Sequence, residues 1–331
     1  MPPQGKSRMI LFSASYGRGT PSADLRAYKV CEELARRGAK AEMIGPEDSQ
    51  DYRRAKVAAL RQKDVLYVQK WAGPLHGPEI VPLCRGRIVY DFDDLTSSRR
   101  HEEMLGVCHA AVVGTRWLAS QTSGKPTLVA PTPIEPHLFG EPIPYAERQP
   151  AVVVAKYGMK PYLGKLAKLA PRLNEVLRRH SHRMWFLGAH RPAEYQRLRE
   201  LYPGCRVHPL VKMCQFYDVQ VPIIKAAKWG FVPYDRRCRG KSATSALTMM
   251  ACGVPVQAFA FGECEEMFGR RLRRWVVRDD DRFFENAERL MSDPTQGERF
   301  MQVASQQVEL YSLGTHCDRL TRFLEGLGAD I

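Results

Sequence analysis

The chain has 331 residues, 44% of them hydrophobic, and a formal net charge of +14 at pH 7. That length exceeds the size at which one core stops growing, so two α/β domains of about 150 residues each are expected. No run approaches the ~18 apolar residues of a membrane span, and the opening MPPQGKSRMILFSAS suits a first strand better than a signal peptide.

Nine cysteines are scattered singly with no CxxC pair, which reads as reduced thiols in a soluble, cytoplasmic protein rather than as a disulfide framework. His180 and His182 lack a matching pair for a metal and read as a solvated helix end. The positive charge is spread over both halves. It predicts attraction to a polyanion: nucleic acid, an acidic membrane surface or phosphorylated substrates.

In chain order, MILFSAS reads as a strand, ADLRAYKVCEELARRG as a helix ending on Gly38, and AEMIG as a second strand. RRAKVAALRQ follows as a helix, then DVLYVQK, RIVYDF and AAVVGT as strands. Strands separated by helical patterns imply a parallel sheet covered on both faces. Pro131, Pro133, Pro136, Pro142, Pro144 and Pro150 then crowd a stretch that cannot be regular helix or central strand, and the linker is placed there. The rhythm restarts with AVVVAKY as strand, YLGKLAKLAPRLNEVLRRH as helix, MWFLGAH as strand and AEYQRLRELY as helix. GFVPYD, VPVQAFAF and RRWVVRD follow as strands, with SATSALTMMACG as a helix after the first of them and a helical tail from Asp281. The expected architecture is α/β, two Rossmann-like domains facing a central cleft, with ligands beyond the carboxyl ends of the strands.

The segment GFVPYDRRCRGKSATSALTMMACGVPVQAF carries the most chemistry. An apolar strand delivers a basic loop with Arg236, Arg237, Arg239 and Lys241, and Lys241 and Ser242 then open a helix whose free N–H groups can receive a phosphate. Gly253 ends that helix. Ser13 to Thr20, SASYGRGT, joins the first strand to the first helix, and Gly17 and Gly19 let the backbone approach a ligand. Asp91, Asp93 and Asp94 crowd the end of another strand, where they are solvated, metal-bound, or set for proton transfer and sugar hydroxyl binding.

With Lys241, Ser242, Ala251, Gly253, Pro255 and Val256 in this order, the chain resembles the large, mostly retaining family of GT-B glycosyltransferases, whose donor site carries Lys-Ser, a helix and A-x-G-x-PV. VYDFDDL is similar to the strand end of one branch, and the stretch from Phe283 to Leu327 to the family's closing helices. Thr248 and Gly240 stand where the family has two glutamates, and AKYGMK, with Lys156 and Lys160, where it has an arginine. The resemblance implies a nucleoside diphosphate sugar, a UDP-sugar, as co-substrate and no catalytic metal. It implies Gly17, Gly19, Lys156, Lys160, Arg237, Lys241, Ser242 and Thr248 around the donor, and Asp91, Asp93 and Asp94 at the reaction.

The domains implied are 1–135 on the acceptor side, a linker at 136–150 and a donor domain at 151–314. The last helix, 315–331, packs back on the first domain; Leu320, Phe323, Leu324 and Leu327 share one amphipathic face of it. For the acceptor, three classes compete: DNA with a hydroxymethylated pyrimidine, a cell-envelope saccharide or lipid, and a small metabolite. DYRRAKVAALRQKD is too poor in large apolar residues for a membrane anchor, and a small metabolite would not need such charge. DNA is therefore the expected acceptor, with the base flipped inward; the other outcome is a relative that binds nucleotide sugar without catalysis.

Overall fold

The computed structural model describes residues 8–70, 82–94, 99–156 and 158–328, so Leu95 and Tyr157 of the stretches quoted above, and the first seven residues, lie outside it. The chain forms two compact units. One comprises Met1–Ile134, Gly240–Ser242 and Tyr311–Ile331, the other Glu135–Arg239 and Ala243–Leu310.

The first unit is built on a parallel sheet of strands β1 (Met9–Ala14), β2 (Lys40–Ile44), β3 (Val65–Gln69), β4 (Arg87–Phe92), β5 (Ala110–Val113) and β6 (Thr127–Val129), in the order β2-β1-β3-β4-β5-β6. Because side chains alternate along a strand, each strand feeds two cores. Ile10, Phe12, Val65, Tyr67 and Val89 pack on one face, with Ala23, Ala27 and Tyr28 from the first helical segment and Cys317, Leu320 and Leu324 from the last helix, Leu313–Gly326. Leu11, Leu66, Val68, Tyr90 and Phe92 pack on the other.

The first helical segment runs Pro21–Ala23, a π-helical turn Asp24–Tyr28, and Lys29–Arg36. It ends where the glycine requires. Gly38 takes φ 95°, its N–H donates to the Ala35 carbonyl at 3.0 Å, and the Ala39 N–H reaches back to Leu34 at 3.0 Å. This is a Schellman cap, closed by the apolar contact of Ala39 with the same core as Leu34.

The second unit repeats the layout with β7 (Gln149–Ala155), β8 (Arg183–Ala189), β9 (Arg206–Pro209), β10 (Ala227–Val232), β11 (Val256–Phe259) and β12 (Val276–Val277), in the order β12-β11-β10-β7-β8-β9. Its core is aromatic: Phe283 lies 5.1 Å from Phe231 and stacks on Phe259 at 5.3 Å. Gly253, at φ 67°, closes helix Thr244–Ala251 by the same motif, with Gly253 N–H on Met250 and Val254 N–H on Met249 at 2.9 and 2.8 Å. That helix opens at Thr244, two residues later than its sequence suggests, which leaves Lys241 and Ser242 in the preceding loop. The proline-rich stretch holds only the short 3-10 turns Pro136–Phe139 and Tyr145–Glu147.

Candidate functional site

In each sheet the strand order reverses once, between β1 and β3 in the first unit and between β7 and β10 in the second. The two strands flanking such a point have crossovers leaving in opposite directions, so their carboxyl ends border an open crevice. Gly17 and Gly19 follow β1, Lys156 and Lys160 follow β7 and Arg237 follows β10, whereas the three aspartates lie at the end of β4, one strand further along the first sheet.

In the first unit, Asp91 shares the face of Val89 by strand alternation and is fully buried with Arg26. Arg26, carried on the π-helical turn, donates from Nε to both Asp91 oxygens at 3.0 and 3.1 Å and from Nη1 to the Ala130 carbonyl at 2.8 Å. Burial presses the Asp91 carboxyl upward against the pull of the guanidinium, which the pairing holds in its charged form. With both oxygens engaged in forked, charge-assisted bonds, the pair is ionised.

Asp93 and Asp94, just past β4, are placed differently. Lys70, just past β3, sets its Nζ 2.5 Å from Asp93 and 3.4 Å from Asp94, and Lys241 reaches Asp94 at 2.8 Å. The lysine ammoniums and the Arg26 charge outweigh desolvation and hold the Asp93 carboxyl below the usual range, although burial is the largest single influence and pushes the other way. Asp94 keeps 27% of its side-chain exposure and Asp93 11%, so Asp94 is the more open to a ligand. Beside them, Gln69 is fully buried with neither amide atom hydrogen-bonded, a demand that an ordered water or ligand group would meet. Gly17 and Gly19 lie in the loop after β1. Neither has a positive φ, and an added Cβ would meet only Pro46 Cγ at 3.9 Å from Gly17 and nothing within 4 Å of Gly19, so the chain's own packing does not require glycine at either.

In the second unit, Lys156 directly follows β7 and is buried, its Nζ 3.9 Å from the ring centre of Tyr234, beyond β10, and 4.8 Å from that of Tyr162. Glu194, 2% exposed, accepts the N–H groups of Lys160 at 3.2 Å and His190 at 3.1 Å, and so fixes the turn after β7. Lys160 is exposed in that turn. Arg237 is exposed and forks onto Asp235 (Nη2 to Oδ2, 2.6 Å), with a longer bond to the Pro161 carbonyl at 3.4 Å. The segments bearing Lys156, Lys160 and Arg237 thus come together around Tyr162 and Tyr234. Thr248 is buried inside helix Thr244–Ala251 and Ser242 is half-buried in the loop before it.

Sequence reasoning missed Lys70, Arg26 and Glu194. Lys70 had a usable signal, a lysine closing an apolar strand that neighbours the first strand. Arg26 and Glu194 had none, since a charged residue in an amphipathic helix reads as solvent-facing. His180 sits 2.5 Å from Glu288, and among the described residues no group of three or more His, Cys, Asp or Glu is arranged around an ion.

No protein-family model matches the chain, and no curated protein matches its sequence. Solved structures do match in shape. A glycosyltransferase from Rickettsia africae superimposes with a TM-score of 0.71 at 9% identity, over 99% of this chain and 100% of that one. An α-glucosyltransferase solved with UDP and a 13-mer DNA containing an HMU base gives 0.68 at 11% identity, over 96% of this chain and 100% of that one.

The fold is GT-B.

A sucrose-phosphate synthase from Thermosynechococcus elongatus shares this GT-B fold, with a TM-score of 0.67 at 15% identity, over 98% and 100% of the two chains. In all three the GT-B likeness is one of architecture, and what this chain binds has to be argued from its own side chains.

Proposed function

We propose that the protein is a glycosyltransferase that moves a sugar from a nucleoside diphosphate sugar, a UDP-sugar, to a hydroxyl group of the acceptor. The observation that carries the reading is the position of Lys156. It is a buried lysine directly past β7, at the reversal point of the second sheet, flanked by two tyrosine rings. A cation there meets a diphosphate where α/β sheets bind nucleotides. Lys160 and Arg237 add charge on the adjoining turns, and Ser242 and Thr248 complete the donor residues of this reading.

Lys241, in the basic loop of the sequence, counts among the donor's cations in the same reading. Gly17 and Gly19 give the transferred sugar room. Asp94 and Asp93 receive the acceptor hydroxyl, while Asp91, in its ion pair with Arg26, anchors the strand that carries them. In the reaction the bond from the anomeric carbon to the diphosphate oxygen breaks, and its electron pair leaves on the diphosphate. The acceptor oxygen forms the new bond to that carbon. The hydroxyl proton passes to an aspartate if configuration inverts, and to the departing phosphate if it is retained. The anomer formed distinguishes these.

For the acceptor we propose DNA carrying a 5-hydroxymethylpyrimidine. The net charge of +14 supports a polyanionic partner, and one structural neighbour was solved with UDP and DNA containing an HMU base. Nine free thiols fit a cytoplasmic setting.

The test offers radiolabelled nucleotide sugars with DNA containing 5-hydroxymethyluracil or 5-hydroxymethylcytosine, unmodified DNA, and lipid and oligosaccharide acceptors. Label entering only hydroxymethylated DNA, with activity falling steeply as salt rises, is the expected result. Label in lipid or saccharide alone would replace the acceptor. Donor binding without any turnover would favour a binding-only relative, the alternative raised by Gly240 and Thr248 standing where the resembling family has glutamates. Lys156→Met and Lys241→Ala each remove a charge-assisted phosphate contact of about 1.5–3 kcal/mol, hence roughly 10- to 100-fold in donor affinity. Unchanged donor affinity in both variants would sink the donor assignment.

A further inference from the structure

Lys70 stands out among the described lysines of the first unit. It is one of three non-glycine residues among those described with a positive φ, 50°, a conformation that costs an L-residue about 1–3 kcal/mol. Both of its main-chain groups are tied: the N–H donates to the Asp91 carbonyl at 2.8 Å, and the carbonyl accepts the Ser15 hydroxyl at 2.7 Å. The strained turn sends a long, normally solvated side chain inward, to 16% exposure, where Nζ meets Asp93 and Asp94 and lies 3.4 Å from the Ser22 hydroxyl. Strain of this kind persists only where surrounding structure holds it, and it clusters at functional sites.

The charges around the two aspartates account for the arrangement. On their own strand Asp91 is the nearest further anion, and it is paired with Arg26 from the helical segment packed on that face. From β3 comes Lys70, and from the loop at residues 240–242 comes Lys241, which touches Asp94 and is 40% exposed. Two adjacent carboxylates are thus matched by two ammoniums, one of them part-buried. Without Lys70 the pair would keep only the 40% exposed Lys241 and the Arg26 charge already matched by Asp91, and mutual repulsion would favour proton uptake by one carboxylate.

We propose that Lys70 is a positioning residue that holds Asp93 and Asp94 as a fixed, ionised pair, set to accept hydrogen bonds from substrate hydroxyl groups. The proposal rests on the glycosyltransferase reading for what the pair binds. Its geometric part stands independently. The depressed Asp93 acidity agrees with it.

The test separates electrostatic positioning from a clamp that merely shapes the turn. Lys70→Asn and Lys70→Gly both tolerate the left-handed backbone and delete the charge, while Lys70→Arg keeps it. With Lys70→Asn the acid limb of kcat/KM moves up by about one pH unit or more, roughly a tenfold loss one unit below it, and Lys70→Arg restores the limb. A uniform loss at all pH values, with the limb unmoved, would overturn the proposal. A second readout needs no turnover: carbon NMR of aspartate-labelled full-length protein, following the Asp93 carboxyl through a pH titration. It titrates at higher pH in the Asn and Gly variants than in wild type; identical titration overturns the proposal. If wild type transfers no sugar to any acceptor, the glycosyltransferase reading fails while the NMR comparison still decides the role of Lys70.

Discussion

Asp91→Asn removes the charge from one half of the ion pair that ties the π-helical turn to β4. Arg26 and Asp91 are both fully buried, and the guanidinium makes bonds of 3.0 and 3.1 Å to the carboxylate as well as one of 2.8 Å to the Ala130 carbonyl. A surface pair of this kind would contribute about 0–1 kcal/mol. Here each single variant leaves its partner buried and uncompensated, the guanidinium in Asp91→Asn and the carboxylate in Arg26→Met, so each is expected to cost about 3–5 kcal/mol. The double variant Arg26→Met/Asp91→Leu leaves no orphaned charge. It should recover most of that loss, giving a coupling energy of about 3 kcal/mol or more. Urea unfolding of wild type, both single variants and the double variant, followed by circular dichroism, measures the cycle. The same four proteins are assayed for transfer, because a residue whose role is only to neutralise the buried Arg26 charge permits activity in the stable double variant. Asp91→Asn within about 0.5 kcal/mol of wild type would refute the structural role. A stable but wholly inactive double variant would return Asp91 to the reaction itself.

The last helix carries two further expectations. His316, buried with its imidazole near Arg26 and bonded to the Pro131 carbonyl, is pushed down to about 3 by burial and then by the neighbouring charge. The unfolded chain therefore binds a proton that the folded one refuses between about pH 6.5 and that value, so stability falls with falling pH across this window. His316→Gln should flatten the slope of stability against pH by up to about 1.4 kcal/mol per unit between pH 6 and 4, and parallel curves would contradict it. Truncation after Gly314 removes Leu320 and Leu324, both fully buried in the core that the first helical segment shares with one face of the sheet, and should cost about 3–6 kcal/mol through those two side chains alone. A truncated protein with an unchanged melting temperature and full activity would show that the helix is dispensable.

Much of the architecture follows from local sequence, because buried parallel strands and amphipathic helices carry their own period. MILFSA, VLYVQ and RIVYDF are read as β1, β3 and β4 from their apolar runs, and Gly38 and Gly253 end their helices because only glycine takes the left-handed cap at no steric cost. The outer strands β6 and β9 escape such reading. Each sits at a sheet edge with half-exposed side chains, so neither period nor burial marks it.

For the site, sequence alone determines which residues stand at strand ends: the aspartates after β4, Lys156 after β7, the basic loop after β10. What it does not contain is the partner of each charge. Strand alternation turns Asp91 toward the helical layer, and the π-helical turn is what brings Arg26 there. Strand order, which places β3 beside β4 and β1, is what sets Lys70 against Asp93 and Asp94 across 24 positions of sequence. A charge's partner depends on distance through space, and only the tertiary fold sets that distance. Residue type and spacing therefore announce that chemistry is present, and the fold decides which aspartate is sealed into an ion pair and which is left to meet a substrate.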